Sequence, residues 1–168
     1  MTQIARGLAG VVVAETRLSE VDGEAGSLVI GGFPVEQLAP RASFEEVLFL
    51  LWHDRLPSAA EHEALRAAMA ARRALPAATV ELLRAAARAR AGTMDALRMA
   101  AGTLSLVGDE PGDGTAPLLD QAQAIVARMP TIVAAYARLR AGSEPVAPDP
   151  TLGHAANYLY MLTGAAPD

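Results

Sequence analysis

The 168-residue sequence contains no cysteine and no lysine. The first absence excludes disulfide frameworks, thiolate nucleophiles, zinc knuckles and iron–sulfur ligation together. The second leaves all fourteen basic residues as Arg, which speaks of a biased codon supply as much as of a physical requirement. There is no basic block either. Net charge is −5 and the pI is about 5.2, and an acidic chain without a cationic run has nothing to neutralise a phosphate backbone, so no nucleic-acid partner is expected. The apolar stretch Gly7 to Ala14 is too short to span a bilayer and runs into Glu15 rather than a small-residue cleavage site. No membrane partner is expected, and a cytoplasmic location follows by default.

What is present is apolar content, 52% of the chain, enough for one domain to bury a core. The whole of 1–168 reads as a single segment. Val11, Val12 and Val13, then Thr16, Leu18 and Val21, lead to an Asp22-Gly23 turn and the run Leu28, Val29, Ile30, so a β-hairpin is expected over about 11–30. Gly31 and Gly32 end it. From about residue 34 onward Ala, Leu, Glu and Arg favour helix nearly everywhere, and the fold class is all-α with a short N-terminal hairpin.

Ser43 with Glu46 and Ser58 with Glu61 form two capping boxes that open helices over about 43–54 and 58–74. The first places Phe44, Val47, Leu48 and Leu51 on one face but is apolar almost all round, which predicts the most buried helix of the chain. The second sets Leu65 and Met69 opposite Glu63, Arg66 and Arg73. Pro76 opens a third helix to about Arg90, and Thr93 caps a fourth, in which Gly102 points to close packing against a neighbour. Thr115 with Pro117 opens a long helix that Pro130 should kink. After the connector Gly142 to Pro150, Asp149 as cap and Pro150 in the first turn start a last helix ending near Gly164.

Candidate chemistry is sparse. Gly108 to Thr115, GDEPGDGT, is glycine-rich, but it follows a helix and carries Asp109, Glu110 and Asp113, so it would repel phosphate. His62-Glu63 begins like a zinc motif, yet Arg66 stands where the second histidine is needed; no metal site is expected. His53 ends a helix, where a histidine most often satisfies the last carbonyls. His154 and Asn157 share one face of the last helix and are the substrate-binding candidates, against the reading that they bond neighbouring backbone between helices. Arg84 with Arg88, and Arg72 with Arg73, could hold carboxylates or phosphates, although charged helix faces are usually solvated.

Several blocks, in order, resemble the amino-terminal part of the large helical domain of citrate synthases, the bacterial and archaeal citrate and 2-methylcitrate synthases especially. They are Ala5 to Ala39 with its D-G-x-x-G, Ser43 to Glu61 with S-F-E-E-V ahead of L-P, Thr93 to Ala100, Pro130 to Gly142, and Pro148 to Asp168 with H-A-A-N before Y-M. Departures are Gly31 where the family often has Arg, Phe33 for Tyr, Gly153 for Ser, Tyr158 for Phe, and Gly92-Thr93 for a His-Pro pair.

The resemblance implies a homodimeric acyltransferase that condenses acetyl-CoA, or another short acyl-CoA, with oxaloacetate and releases citrate and CoA. It implies no metal or redox cofactor. In such enzymes an aspartate and two histidines carry the enolisation and polarise the ketone, and arginines hold the carboxylates. The family places these beyond the H-A-A-N block, so no catalytic residue is assigned in this chain and it is expected to be inactive alone. The expected partner is a second copy or the missing C-terminal half. A stand-alone interaction module and one half of a split synthase are the alternatives.

Overall fold

A computed structural model describes residues 12, 14–106 and 118–167. They form two compact units, Met1–Pro57 and Ser58–Asp168.

The first unit opens with a three-stranded antiparallel sheet in the order β1-β2-β3, with β1 at Ser19–Asp22, β2 at Ser27–Ile30 and β3 at Phe33–Pro34. Ser19 lies opposite Ile30 and Asp22 opposite Ser27. The Asp22 carboxylate accepts the backbone N–H groups of Glu24 and Ala25, both at 2.9 Å, which closes a four-residue loop. The hairpin begins later than expected: residues 14–18 form no strand, and Val11 and Val13 lie outside the described residues. Gly31 and Gly32 do not end the sheet. Both have positive φ, 55° and 86°, and they make the two-residue turn that pairs Ile30 with Phe33, a geometry that favours glycine at both positions. At Gly31 there is a second reason, since a Cβ there would come within 2.8 Å of Leu50 Cγ.

Two helices complete this unit, α1 at Val35–Leu38 and α2 at Phe44–His53. The first capping box forms as expected. Ser43 accepts the Glu46 N–H at 3.2 Å and Glu46 accepts the Ser43 N–H at 2.7 Å. The α2 face is corrected: Glu45, Phe49 and Leu50 are the buried residues, while Phe44 is 44% exposed. A helix apolar nearly all round gives periodicity no face to select, and the approach of Leu50 to Gly31 selects it instead. Asp54 ends α2 at φ 58°, held by Arg17 Nε at 2.7 Å.

The second unit contains α3 at Ala59–Ala71, α4 at Ala77–Arg88, α5 at Thr93–Gly102, a 3₁₀ turn at Thr103–Leu106, α6 at Leu118–Arg140 and α7 at His154–Thr163. The second capping box also forms, with the Glu61 N–H donating to Ser58 Oγ at 3.3 Å and the Ser58 N–H to Glu61 at 2.8 Å. The core joins Leu83 and Ala86 of α4, Ala96 and Ala100 of α5, and Ile132 and Tyr136 of α6. Alanines at the crossings let the helix axes come close, and the larger side chains fill the gaps between them.

Among the described helices α6, the longest, carries the most buried residues, Ala127, Thr131, Ile132, Ala134, Ala135 and Tyr136. The helix runs unbroken through Pro130. Thr115 and Pro117, expected to open it, lie outside the described residues. Three boundary details differ from expectation. Gly92, not Thr93, is the N-cap of α5, with no side-chain cap bond. Gly102 marks no close approach among the described residues, where a Cβ would meet nothing within 4 Å. Gly153, not Asp149, caps α7, because the Asp149 carboxylate is held by Thr151 instead. No helix among the described residues is long and apolar enough to cross a membrane.

Candidate functional site

The connector between α6 and α7 is where the polar side chains of the second unit converge. Its start is set by Gly142 at φ 79°. The Gly142 N–H donates to Leu139 O at 3.1 Å and the Ser143 N–H to Arg138 O at 2.8 Å, the paired bonds of a glycine helix stop. Arg138 Nε then donates to Glu144 O at 2.7 Å, and Arg84 from α4 grips the Glu144 carboxylate through both terminal nitrogens. That pairing lowers the Glu144 pKa and raises that of Arg84.

Further along, Arg73 Nη1 donates to the carbonyls of Asp149, at 3.0 Å, and Leu152, at 2.9 Å. Arg66 of α3 takes the intervening Thr151 carbonyl at 2.7 Å. Asn157 Oδ1 accepts the Asp149 N–H at 2.8 Å, and its Nδ2 donates to Met161 Sδ at 3.6 Å. Asp149 accepts both the hydroxyl of Thr151, at 2.7 Å, and its backbone N–H, at 2.8 Å. Those two bonds, with Arg73 nearby, hold the Asp149 carboxyl below its ordinary pKa.

Both substrate-binding candidates belong to this centre. His154, the first residue of α7, is 6% exposed, and Asn157, one turn on, is 1% exposed. The amide of Asn157 is engaged at both ends in holding the connector to α7. Arg73 was expected on a solvated face and is corrected: it is fully buried. Its signal was in the sequence, because Leu65, Met69 and Arg73 recur every fourth residue and so share the inward face of α3 and its extension. Its neighbour Arg72 donates to Ala68 O at 3.2 Å and lies 3.9 Å from Asp120.

His53 and His62 do not join this centre. His53 packs on the Phe49 ring at a centroid distance of 4.2 Å, at the end of α2, and His62 is half-buried on α3. Among the described residues no three His, Cys, Asp or Glu side chains come together as a metal ion would need. Arg84 and Arg88 flank an open cleft with Leu139, Ser143 and Glu144. The connector centre is thus a clamp, in which Arg side chains and an Asn amide satisfy backbone groups between helices.

The architecture is that of a helical bundle tied by side-chain-to-backbone bonds, and comparison gives it a family. The family model described as citrate synthase, C-terminal domain, matches residues 7–168. The citrate synthase of Haloferax volcanii is 44% identical over 171 residues, covering 99% of this chain and 45% of that protein. The 2-methylcitrate synthase of Mycobacterium tuberculosis is 40% identical, with 98% and 42% covered. The crystal structure of citrate synthase from Pyrobaculum aerophilum superposes with a TM-score of 0.83 at 36% identity, with 96% and 42% covered. The chain belongs to the citrate synthase family, and it spans a little under half the length of these relatives.

Proposed function

We propose that this chain is a scaffold portion of a synthase that condenses acetyl-CoA, or another short acyl-CoA, with oxaloacetate to give citrate, or its alkylated analogue, and free CoA. The match over residues 7–168 to relatives named citrate synthase and 2-methylcitrate synthase carries the reading. The connector centre supports a scaffold role, because its polar groups are engaged in backbone bonds rather than presented to a substrate. No resident metal or redox cofactor is proposed; the acyl-CoA is substrate. The enzyme acts on small molecules, with no nucleic-acid or membrane partner.

By itself the chain is proposed to be inactive and to need either a second copy or the remaining half of a synthase. The exposure of Leu118 at 82% and Met94 at 73% favours such a partner, since large apolar side chains gain by leaving water. The same observation favours a second reading, one half of a split synthase whose other polypeptide completes the site. The experiment is a CoA-release assay with acetyl-CoA and oxaloacetate. The chain alone is expected to release none, and co-expression with the carboxy-terminal half of the Haloferax volcanii relative is expected to restore release. Steady CoA release by the chain alone overturns the proposal.

A further inference from the structure

We infer that the end of the second unit where α4 and α6 finish together is a binding site for a compact phosphate-bearing anion. The two helices end side by side: Arg140 and Tyr136 of α6 both donate to Ala91 O, just past α4, and Arg84 of α4 holds Glu144, just past α6. Residues 77–91 and 136–146 contain five arginines, Arg84, Arg88, Arg90, Arg138 and Arg140, and two acids, Glu81 and Glu144. Each helix end adds roughly half a negative charge, which still leaves an excess of about two positive charges. This excess sits on a chain whose net charge is −5. A local field opposite in sign to that of the whole molecule is what draws an anion.

Three of the five arginines are committed. Arg84 is paired with Glu144 and Glu81, Arg138 with the carbonyls of Glu144 and Leu162, and Arg140 with Ala91 and the Tyr136 ring. Arg88 and Arg90 are exposed, and among the described residues neither guanidinium makes a hydrogen bond or ion pair. Arg88 lines an open cleft of about 230 Å³ with Arg84, Ser143 and Glu144. Arg90 adds an independent observation. It holds φ 54°, a conformation glycine adopts without strain, so the chain keeps a guanidinium where the backbone favours none.

The Glu144 carboxylate already demonstrates the mode, since Arg84 takes it with a two-pronged fork. The cleft is too small for a nucleic-acid duplex, and the free guanidinium of Arg88 on its lining, with that of Arg90 two residues further along the same positively charged helix end, calls for a ligand with more than one negative charge. A pyrophosphate-sized anion meets both conditions. The site lies at the start of the connector, uses none of Arg73, Asp149 and Asn157, and does not depend on the proposed condensation.

The test titrates inorganic pyrophosphate into the full chain at low ionic strength in a calorimeter. Saturable binding is expected, weakened about tenfold by Arg88→Gln and further by Arg88→Gln with Arg90→Gly. Arg90→Gly relieves the strained backbone, so a loss of binding in a chain that melts no lower is not unfolding. Arg98→Gln, which removes an exposed cation paired with Asp95 on α5, is expected to bind as the parent does. The inference is overturned by the absence of saturable heat, by unchanged binding in the Arg88 and Arg90 variants, or by an equal loss in Arg98→Gln. It is equally overturned if a glutamate-rich peptide binds through Arg88 and Arg90 while pyrophosphate does not.

Discussion

Arg90 and Gly142 occupy the same position in two copies of one helix stop. After α4 the Arg90 N–H donates to Ala87 O and the Ala91 N–H to Ala86 O; after α6 the Gly142 N–H donates to Leu139 O and the Ser143 N–H to Arg138 O. Both residues have positive φ, 54° and 79°. Only one of them is glycine. A Cβ in the left-handed region costs about 1 kcal/mol, so Arg90→Gly is expected to stabilise the chain by about 1 kcal/mol. Gly142→Ala is expected to destabilise it by a similar amount. Urea midpoints of the two variants, at unchanged slope, check both signs.

Gly31 combines strain with a steric limit. At φ 55° a side chain is already disfavoured, and its Cβ would press on Leu50, which is 1% exposed and cannot swing into solvent. Gly31→Ala is expected to cost about 2–3 kcal/mol, the left-handed penalty plus overpacking. Gly32→Ala, with nothing within 4 Å, is expected to cost only the backbone share, about 1 kcal/mol. Hydrogen exchange of the Ile30 and Phe33 amides separates the two. Equal protection in both variants would falsify the steric part of the argument.

Where one local rule decided the outcome, the sequence could be read directly. Ser43 with Glu46 and Ser58 with Glu61 placed two helix starts, because a capping box is complete within four residues. The all-helical class and the family were legible too, the first from composition and the second from ordered blocks. Competition between rules defeated the reading elsewhere. Asp149-Pro150 has the chemistry of a helix start, but Thr151 offers the Asp149 carboxylate a hydroxyl and an N–H two residues away, and the helix waits for Gly153. The α2 face was lost because almost every side was apolar. Arg73 was assigned by its charge rather than by its spacing from Leu65 and Met69. The connector clamp itself was beyond reach, because its bonds join residues as far apart as Arg66 and Thr151.

The Asp149 carboxyl gives a pH signature. Its folded pKa lies below its ordinary value, chiefly through the Thr151 hydroxyl and then the Thr151 N–H. A depressed folded pKa means that the unfolded chain takes up the proton first. The contribution is therefore complete above the ordinary aspartate range and is lost as pH falls through that range toward the lower folded value. Asp149→Asn is expected to flatten this part of the stability profile, and Thr151→Val to shrink it without removing it. Urea midpoints of the three chains from neutral to acid pH check the order; identical acid slopes in all three would place the titration elsewhere.

Arg73 makes the strongest stability prediction. It is fully buried and bridges the carbonyls of Asp149 and Leu152 with one nitrogen, while Asn157 holds the Asp149 N–H from the other side. Arg73→Ala leaves two carbonyls and a cavity in place of a packed guanidinium. The expected loss is about 3–5 kcal/mol, in the range for breaking a buried charged network. Lysine does not substitute, because a single ammonium on a flexible stem is harder to dehydrate and does not fill the place of the buried guanidinium, so Arg73→Lys should recover less than half of that loss. Asn157→Leu removes the acceptor from the opposite side of the same loop and is expected to cost about 1–2 kcal/mol. Both groups steady one loop, so the double variant Arg73→Ala with Asn157→Leu should lose less than the two single losses combined. Urea unfolding of the four chains measures the coupling. Strict additivity would mean that the two residues hold the connector independently and that no shared clamp exists.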